Sequence, residues 1–243
     1  MKILVVLLLG WLPCFSHCFI IKLVGGPPGG HRRATALSSS SKSAVPVCEE
    51  LELELEGLVL ARVTGRSAGS DSSLEIERLV SRLEALSAGA SPSFPSLWSD
   101  LQGEWELKYT NNAQSNPTRK LGLVEITRVL QCVGSSAAQD IENVLCVSAL
   151  GTSGRVRLLH DVKVTSDNEP AQLAIDLRQI VYSPDGGKDQ QDISLLPWET
   201  LLGPWLSSLR RGFFDTTFVS TRIRVSRGLL GELRIFTKSS SSA

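Results

Sequence analysis

Leu101-Gln102-Gly103-Glu104-Trp105-Glu106-Leu107-Lys108-Tyr109-Thr110 is the stretch whose reading decides the fold class. Within it Trp105, Leu107 and Tyr109 alternate with Glu104, Glu106 and Lys108. A period of two belongs to a β-strand with one buried and one wet face, because successive side chains leave the backbone on opposite sides. The same signal continues downstream. Residues 121–133, 143–149 and 155–165 read as strands, and in the last of them Val156, Leu158, His160, Val162 and Val164 share a face. Residues 172–182 form another, with Leu173, Ile175 and Leu177 on one side and a change of apolar face near Gln179 that predicts a bulge. Residues 184–191, containing Asp185-Gly186-Gly187, read as a hairpin loop. Residues 213–227 and 229–238 are the last two expected strands, joined at Gly228–Gly231. Many strands linked by short turns predict a mainly β fold, an antiparallel barrel or sandwich.

Upstream the period changes. Residues 49–86 read as two short helices separated by a breaker at 65–70. The first has apolar residues at 51, 53, 55, 58 and 60, an early alternation that would also suit a strand. In the second, Ile76, Leu79, Val80 and Leu83 form the stripe of an amphipathic helix. Ser72-Ser73-Leu74-Glu75 before them matches a capping box. The expected organisation is a helical region over 49–90, then a β domain over 91–238.

The first fifth of the chain differs chemically from the rest. The 243 residues hold 25 basic and 25 acidic side chains, a zero balance that argues against a general nucleic-acid binder. Residues 1–48 carry five basic residues and no acidic one, which leaves 20 basic against 25 acidic, a net of −5, in 49–243. Met1-Lys2 and the apolar run from Ile3 to Leu9 have signal-peptide character, and Ser16 and Cys18 have the spacing a signal peptidase reads. The expectation is a signal peptide at 1–18. Residues 19–48, basic and Gly/Pro- then Ser-rich, have the composition of a transit peptide. Together the two segments resemble the bipartite presequence of algae whose plastids derive from a eukaryotic endosymbiont. The alternative is a secreted protein with a polar N-terminal tail. The three cysteines outside 1–47, Cys48, Cys132 and Cys146, are an odd and sparse set for a secreted disulfide scaffold. No transmembrane helix is expected in the mature chain.

Chemistry-bearing residues are few. His17 and His31 lie in the presequence-like segment, so His160 is the one imidazole of the expected mature chain, and its apolar same-face neighbours favour a core or cavity role. Cys132 and Cys146 lack zinc-ligand spacing, and no nucleophile elbow or phosphate loop is present. Asp161, Asp176 and Asp215 are possible acids that nothing in the sequence pairs. No catalytic residue, metal ligand or cofactor site is therefore assigned.

Gly103-Glu104-Trp105 at the start of the first strand resembles the lipocalin Gly-x-Trp signature, in which the Trp closes the barrel floor and a late Arg packs on its indole. Arg222 and Arg224, alternating with Ile223 and Val225, are the candidates for that Arg. More widely, residues 101–110 look like the first-strand motif of the plastid lipid-associated protein (fibrillin) family, approximately Leu-x-Gly-x-Trp-x-Leu-x-Tyr-Thr. Phe214-Asp215-Thr216-Thr217-Phe218 and Arg222-Ile223-Arg224-Val225-Ser226-Arg227-Gly228 are similar to its closing motif. Gln131 and Glu142-Asn143-Val144 resemble middle positions. The chain departs from the pattern at Phe218-Val219-Ser220, where the family usually has Tyr-Leu-Asp.

The resemblance implies an antiparallel lipocalin-like β-barrel, plastid residence, and association with thylakoid or plastoglobule lipid. The expected function is to hold or coat apolar lipids such as a prenylquinone, carotenoid or acyl chain. A lipocalin-type enzyme acting on an isoprenoid and a secreted lipid carrier are the alternatives. Trp105, Leu107, Tyr109, Val156, Leu158, His160, Leu173, Ile175 and Leu177 are the cavity candidates. Gly103, Asp215, Arg224, Arg227 and Gly228 are the structural positions, with an Asp215–Arg224 or Asp215–Arg227 pair bracing the barrel. The stretch from Trp198 to Leu206, followed by Arg210-Arg211 and Phe213-Phe214, has the composition of a lipid-interface segment.

Overall fold

The computed structural model describes residues 44–64, 70–87, 96–112, 118–134, 140–166, 172–185, 192–195, 211–228 and 231–239. The presequence-like residues before 44, the expected loop at 186–191 and the Trp198–Leu206 stretch lie outside them. The chain divides into two compact units, with residues Ile21–Ser91 in one and Pro92–Ala243 in the other.

The first unit holds α1 (Ala44–Val63) and α2 (Ser70–Ser87). The expected stripe of α2 is fully buried at Ile76, Leu79, Val80 and Leu83. On α1 the fourfold spacing wins over the alternation: Leu51, Leu55 and Val59 are buried while Leu53 and Leu60 face outward. The capping box does not form. The helix starts at Ser70, which puts Ser72 inside its first turn, where the hydroxyl accepts a 2.6 Å bond from Arg62 Nη1. Glu75 pairs instead with Arg78 at 2.6 Å.

The second unit opens with a six-residue helix, α3 (Ser96–Leu101), that no sequence signal announced. Ten strands follow among the described residues: β1 (Gly103–Thr110), β2 (Arg119–Leu121), β3 (Val124–Val133), β4 (Asp140–Ala149), β5 (Thr152–Ser166), β6 (Gln172–Pro184), β7 (Ile193–Leu195), β8 (Arg211–Val219), β9 (Ile223–Gly228) and β10 (Leu233–Lys238). They make one antiparallel sheet in the order β1-β10-β9-β8-β6-β5-β4-β3-β2, with β7 beside β6. β1 also pairs with β3, from Gly103 opposite Val133 to Glu106 opposite Leu130. The path of pairings thus leaves β1 through β10 and comes back to it through β3. This is a mainly β, antiparallel, lipocalin-like architecture rather than two facing sheets.

Two expected strands are each divided. The run 121–133 breaks at Gly122, whose φ of 62° lets β2 fold back on β3. The run 213–227 breaks at Ser220, although it contains no Gly or Pro. The Ser220 hydroxyl accepts backbone N–H bonds from Arg222 and Ile223, each at 3.1 Å, and the Ser220 N–H donates to the Ile223 carbonyl at 2.9 Å. A side-chain oxygen binding the backbone two residues on is the turn chemistry that Asp and Ser share. Ser220 therefore supplies the loop-shaping bonds at the position where the family pattern has a carboxylate.

The bulge on β6 is where the pattern placed it. Leu159 lies opposite Gln179 and His160 opposite Leu177, so Arg178 is the extra residue. It lets Leu173, Ile175 and Leu177 on one side of the bulge and Ile180 and Tyr182 on the other all be buried.

Two apolar clusters result. The first joins Leu97, Trp98 and Leu101 of α3 to Trp105, Leu107, Val133, Ile141, Leu173, Ile175 and Phe236. The second lies toward the opposite ends of β3 and β4 and contains Val124, Ile126, Leu145, Val147, Val156, Leu177, Ile180 and Tyr182. Tyr182 fits because the neighbouring strand carries Gly154: a Cβ there would come within 2.6 Å of the phenol oxygen.

Candidate functional site

The first cluster is built around the Gly-x-Trp sequence. Trp105 is fully buried, and its indole N–H donates a 2.7 Å bond to the carbonyl of Leu101, the last residue of α3. One of the helix-end carbonyls that lack an intrahelical donor is thereby satisfied. Gly103 turns the chain from helix to strand at a φ of 117°, a conformation that strains any residue with a Cβ. A Cβ there would also sit 3.2 Å from Cε of Lys238. That space matters, because Lys238 Nζ lies 5.1 Å from the centroid of the Trp105 ring. The cation on the indole is thus Lys238 of β10, not Arg222 or Arg224. The register Trp105 opposite Lys238 brings it there, which the spacing within residues 222–225 had no means to reveal.

Arg224 has a different place. It lies opposite Phe236, a member of the Trp105 cluster, and its guanidinium carbon is 4.7 Å from that ring's centroid. The side chain is 1% exposed and donates from Nε to the Ser226 hydroxyl at 3.2 Å. Burial above all, then the charge of Arg234, lowers its pKa to about 9. Asp215 stands directly opposite Arg227 in the β8–β9 register, whereas Arg224 stands opposite Val219 beyond a register shift. Of the two braces considered, the register favours Asp215 with Arg227. Gly228 closes β9: its N–H donates to the Glu232 carbonyl and its own carbonyl accepts from Gly231, both at 2.9 Å. A Cβ at Gly228 would overlap the Glu232 carboxylate.

The cavity candidates divide between the two clusters. Trp105, Leu107, Leu173 and Ile175 belong to the first, while Val156 and Leu177 belong to the second with Leu158 packed against it. Tyr109 is buried but belongs to neither. His160 is buried opposite Ile141 on one side and Leu177 on the other. Burial pushes its pKa down to about 4, against smaller opposing effects of backbone bonds with Ile141 and Leu158 and of Asp161 and Asp176. The imidazole is therefore neutral near pH 7, and its Nδ1 is buried without a hydrogen-bond partner among the described residues. Gln131, which sequence reading noted only as a motif position, lies opposite Trp105. Its Nε2 donates to Asn143 Oδ1 at 2.8 Å, and its Oε1 is buried without a partner among the described residues.

Among the described residues no acid–base constellation assembles around the histidine. Asp161 and Asp176 are opposite one another on neighbouring strands, one residue out of phase with His160 and Leu177. They pair with Arg178 at 3.3 Å and Lys163 at 3.4 Å. Cys132 and Cys146 are free thiols, and burial, then Glu104, raises the Cys132 pKa to about 11, far from a reactive thiolate. Among the described residues no three His, Cys, Asp or Glu gather as metal ligands.

The plastid lipid-associated protein model, PAP_fibrillin, matches residues 49–237. The chain belongs to the PAP_fibrillin family. Membership places it among lipid-associated plastid proteins of a generally structural, non-enzymatic kind. No curated protein and no solved structure matches the chain. Within this PAP_fibrillin chain no helix of the described residues is long and apolar enough to cross a membrane.

Proposed function

We propose that this fibrillin holds an apolar lipid in its sheet interior and rests on a lipid surface with two hairpin tips. The observation that carries the reading is the pair of leucines at those tips. Leu123, between β2 and β3, is 65% exposed, and Leu150, between β4 and β5, is 81% exposed. Val124 and Ala149, the residues that adjoin them, are register partners, so the two tips are neighbours at the second-cluster end. Leu150 also has a φ of 51°, a left-handed conformation that Asn or Gly adopts readily and Leu rarely does. A strained, exposed leucine beside another suits insertion among acyl chains, where each buried Å² of apolar surface gains about 25 cal/mol. Gln131 Oε1 and His160 Nδ1, buried polar atoms among apolar walls, offer hydrogen-bonding partners to the polar end of a lipid held inside.

Flotation of the full chain with vesicles of galactolipid or neutral-lipid emulsions tests the surface contact. The wild type is expected to float, and the double variant Leu123→Ser with Leu150→Asn to remain in the soluble fraction with an unchanged melting curve. Equal flotation of both would overturn this assignment of the tips.

Plastid residence at the thylakoid or plastoglobule is the corresponding proposal for location, supported by the family and by the two-part character of residues 1–48. A fluorescent reporter carrying residues 1–48 should enter the plastid of an alga with a secondary plastid. Secretion of the reporter would favour the lipid-carrier alternative instead.

A further inference from the structure

Three neighbouring strands bring an unusual set of side chains to one rung of the interior. Thr216 of β8 lies opposite Ser226 of β9, which lies opposite Arg234 of β10. Arg224 is two residues along β9 from Ser226 and bonds to its hydroxyl. Phe236, two residues along β10 from Arg234, belongs to the Trp105 cluster, which fixes the face as the apolar interior. Arg224 is 1%, Ser226 1%, Arg234 6% and Thr216 8% exposed. Two guanidiniums in so dry a place repel one another, and an anion held between them lowers that repulsion. Glu232 meets Arg234 at 2.7 Å from the end of β10. The Thr216 hydroxyl, more than nine-tenths buried in the same rung, has no hydrogen-bond partner among the described residues. It adds a neutral donor to the charged ones.

We propose that Arg224, Arg234, Ser226 and Thr216 form a receptor for the oxyanion head of a single-chain lipid, a carboxylate or a phosphate monoester. The chain of that lipid lies along Phe236 toward Trp105 and Leu107. The planar guanidinium fork matches the two oxygens of either head, and Arg224, held over Phe236 and bonded to Ser226, is already fixed in direction. The inference rests on the proposal that the protein holds lipid inside, and it narrows the cargo from apolar lipids in general to amphiphiles with an acidic end.

The test is displacement of a fluorescent fatty acid from the full chain by oleate, oleyl phosphate, oleyl alcohol and a neutral prenylquinone. Oleate or oleyl phosphate should compete about tenfold or more better than the alcohol, as expected for hydrogen bonds to a charged group. Which of the two acids competes better assigns the head as carboxylate or phosphate. Thr216→Val, nearly isosteric, and Arg234→Gln should reduce that preference, with melting curves recorded to show that each is folded. Arg224→Lys keeps the charge without the fork and should lose most of the preference while still binding the alcohol. Equal competition by acid and alcohol, or an undiminished acid preference in folded Thr216→Val and Arg234→Gln, overturns the receptor but leaves interior lipid binding standing. Failure of the fluorescent lipid to bind at all overturns both.

Discussion

Trp105→Ala is expected to lower the unfolding free energy by about 3–5 kcal/mol, the range for emptying a buried aromatic site. Against a typical total of roughly 5–15 kcal/mol, that leaves a marginal protein. Three contacts disappear together in this variant. The first cluster loses one of its two tryptophans, the Leu101 carbonyl loses its donor, and Lys238 loses the ring beneath it. Trp105→Phe separates them. It keeps an aromatic face for packing and for Lys238 but removes the N–H, and should cost about 1–2 kcal/mol more than the volume change alone. Urea unfolding of the three proteins measures both steps. An alanine variant within 1 kcal/mol of wild type, as an order of magnitude, would mean that α3 and β1 do not depend on the indole.

The second large effect is acid destabilisation through His160. Its pKa falls from 6.5 to about 4 on folding, because burial penalises the imidazolium. Between those values the unfolded chain binds a proton that the native chain refuses, so stability rises with pH. The contribution is complete above pH 6.5 and is lost as pH falls toward about 4. A difference of this size corresponds to roughly 3 kcal/mol. Carboxylates titrate over part of the same range, so the informative quantity is the difference between the wild type and His160→Gln. That difference should shrink steadily as pH drops from 7 to 4.5, and parallel stability curves would show that the imidazole is solvated.

Much of the sheet was legible because the alternation of Trp105, Leu107 and Tyr109, and the face change near Gln179, are local consequences of a pleated backbone. Both carry through to the structure. The divided strands were less visible. Gly122 acts through a positive φ that many glycines never use, and Ser220 breaks its strand through hydroxyl bonds that a serine in a strand equally forgoes. The capping box failed for a related reason: Ser72 and Glu75 had partners in Arg62 and Arg78, and an i, i+3 spacing says nothing of competitors. Least legible was the cation on Trp105. Lys238 arrives there through the pairing of β1 with β10, and the Arg224–Phe236 contact through the pairing of β9 with β10. Such contacts are properties of register rather than of any short motif, and the polar rung of Thr216, Ser226 and Arg234 exists only across the paired strands.

The double pairing of β1 also governs how the chain comes to be folded. One of its neighbours, β3, follows within a few dozen residues, but the other, β10, is the last strand in the sequence. Contacts so distant must overcome the entropy of the whole intervening chain before they gain anything, which makes closure slow. A polypeptide that emerges from a ribosome or an import pore amino end first holds β1 half-paired throughout, with a row of unmet backbone donors and acceptors. During that interval it is prone to pair with other chains. Once β10 docks, the strands left with a single neighbour among the described residues are the three-residue β2 and β7, too short to template another sheet. The pairing that gives β1 its second neighbour is the last one drawn tight.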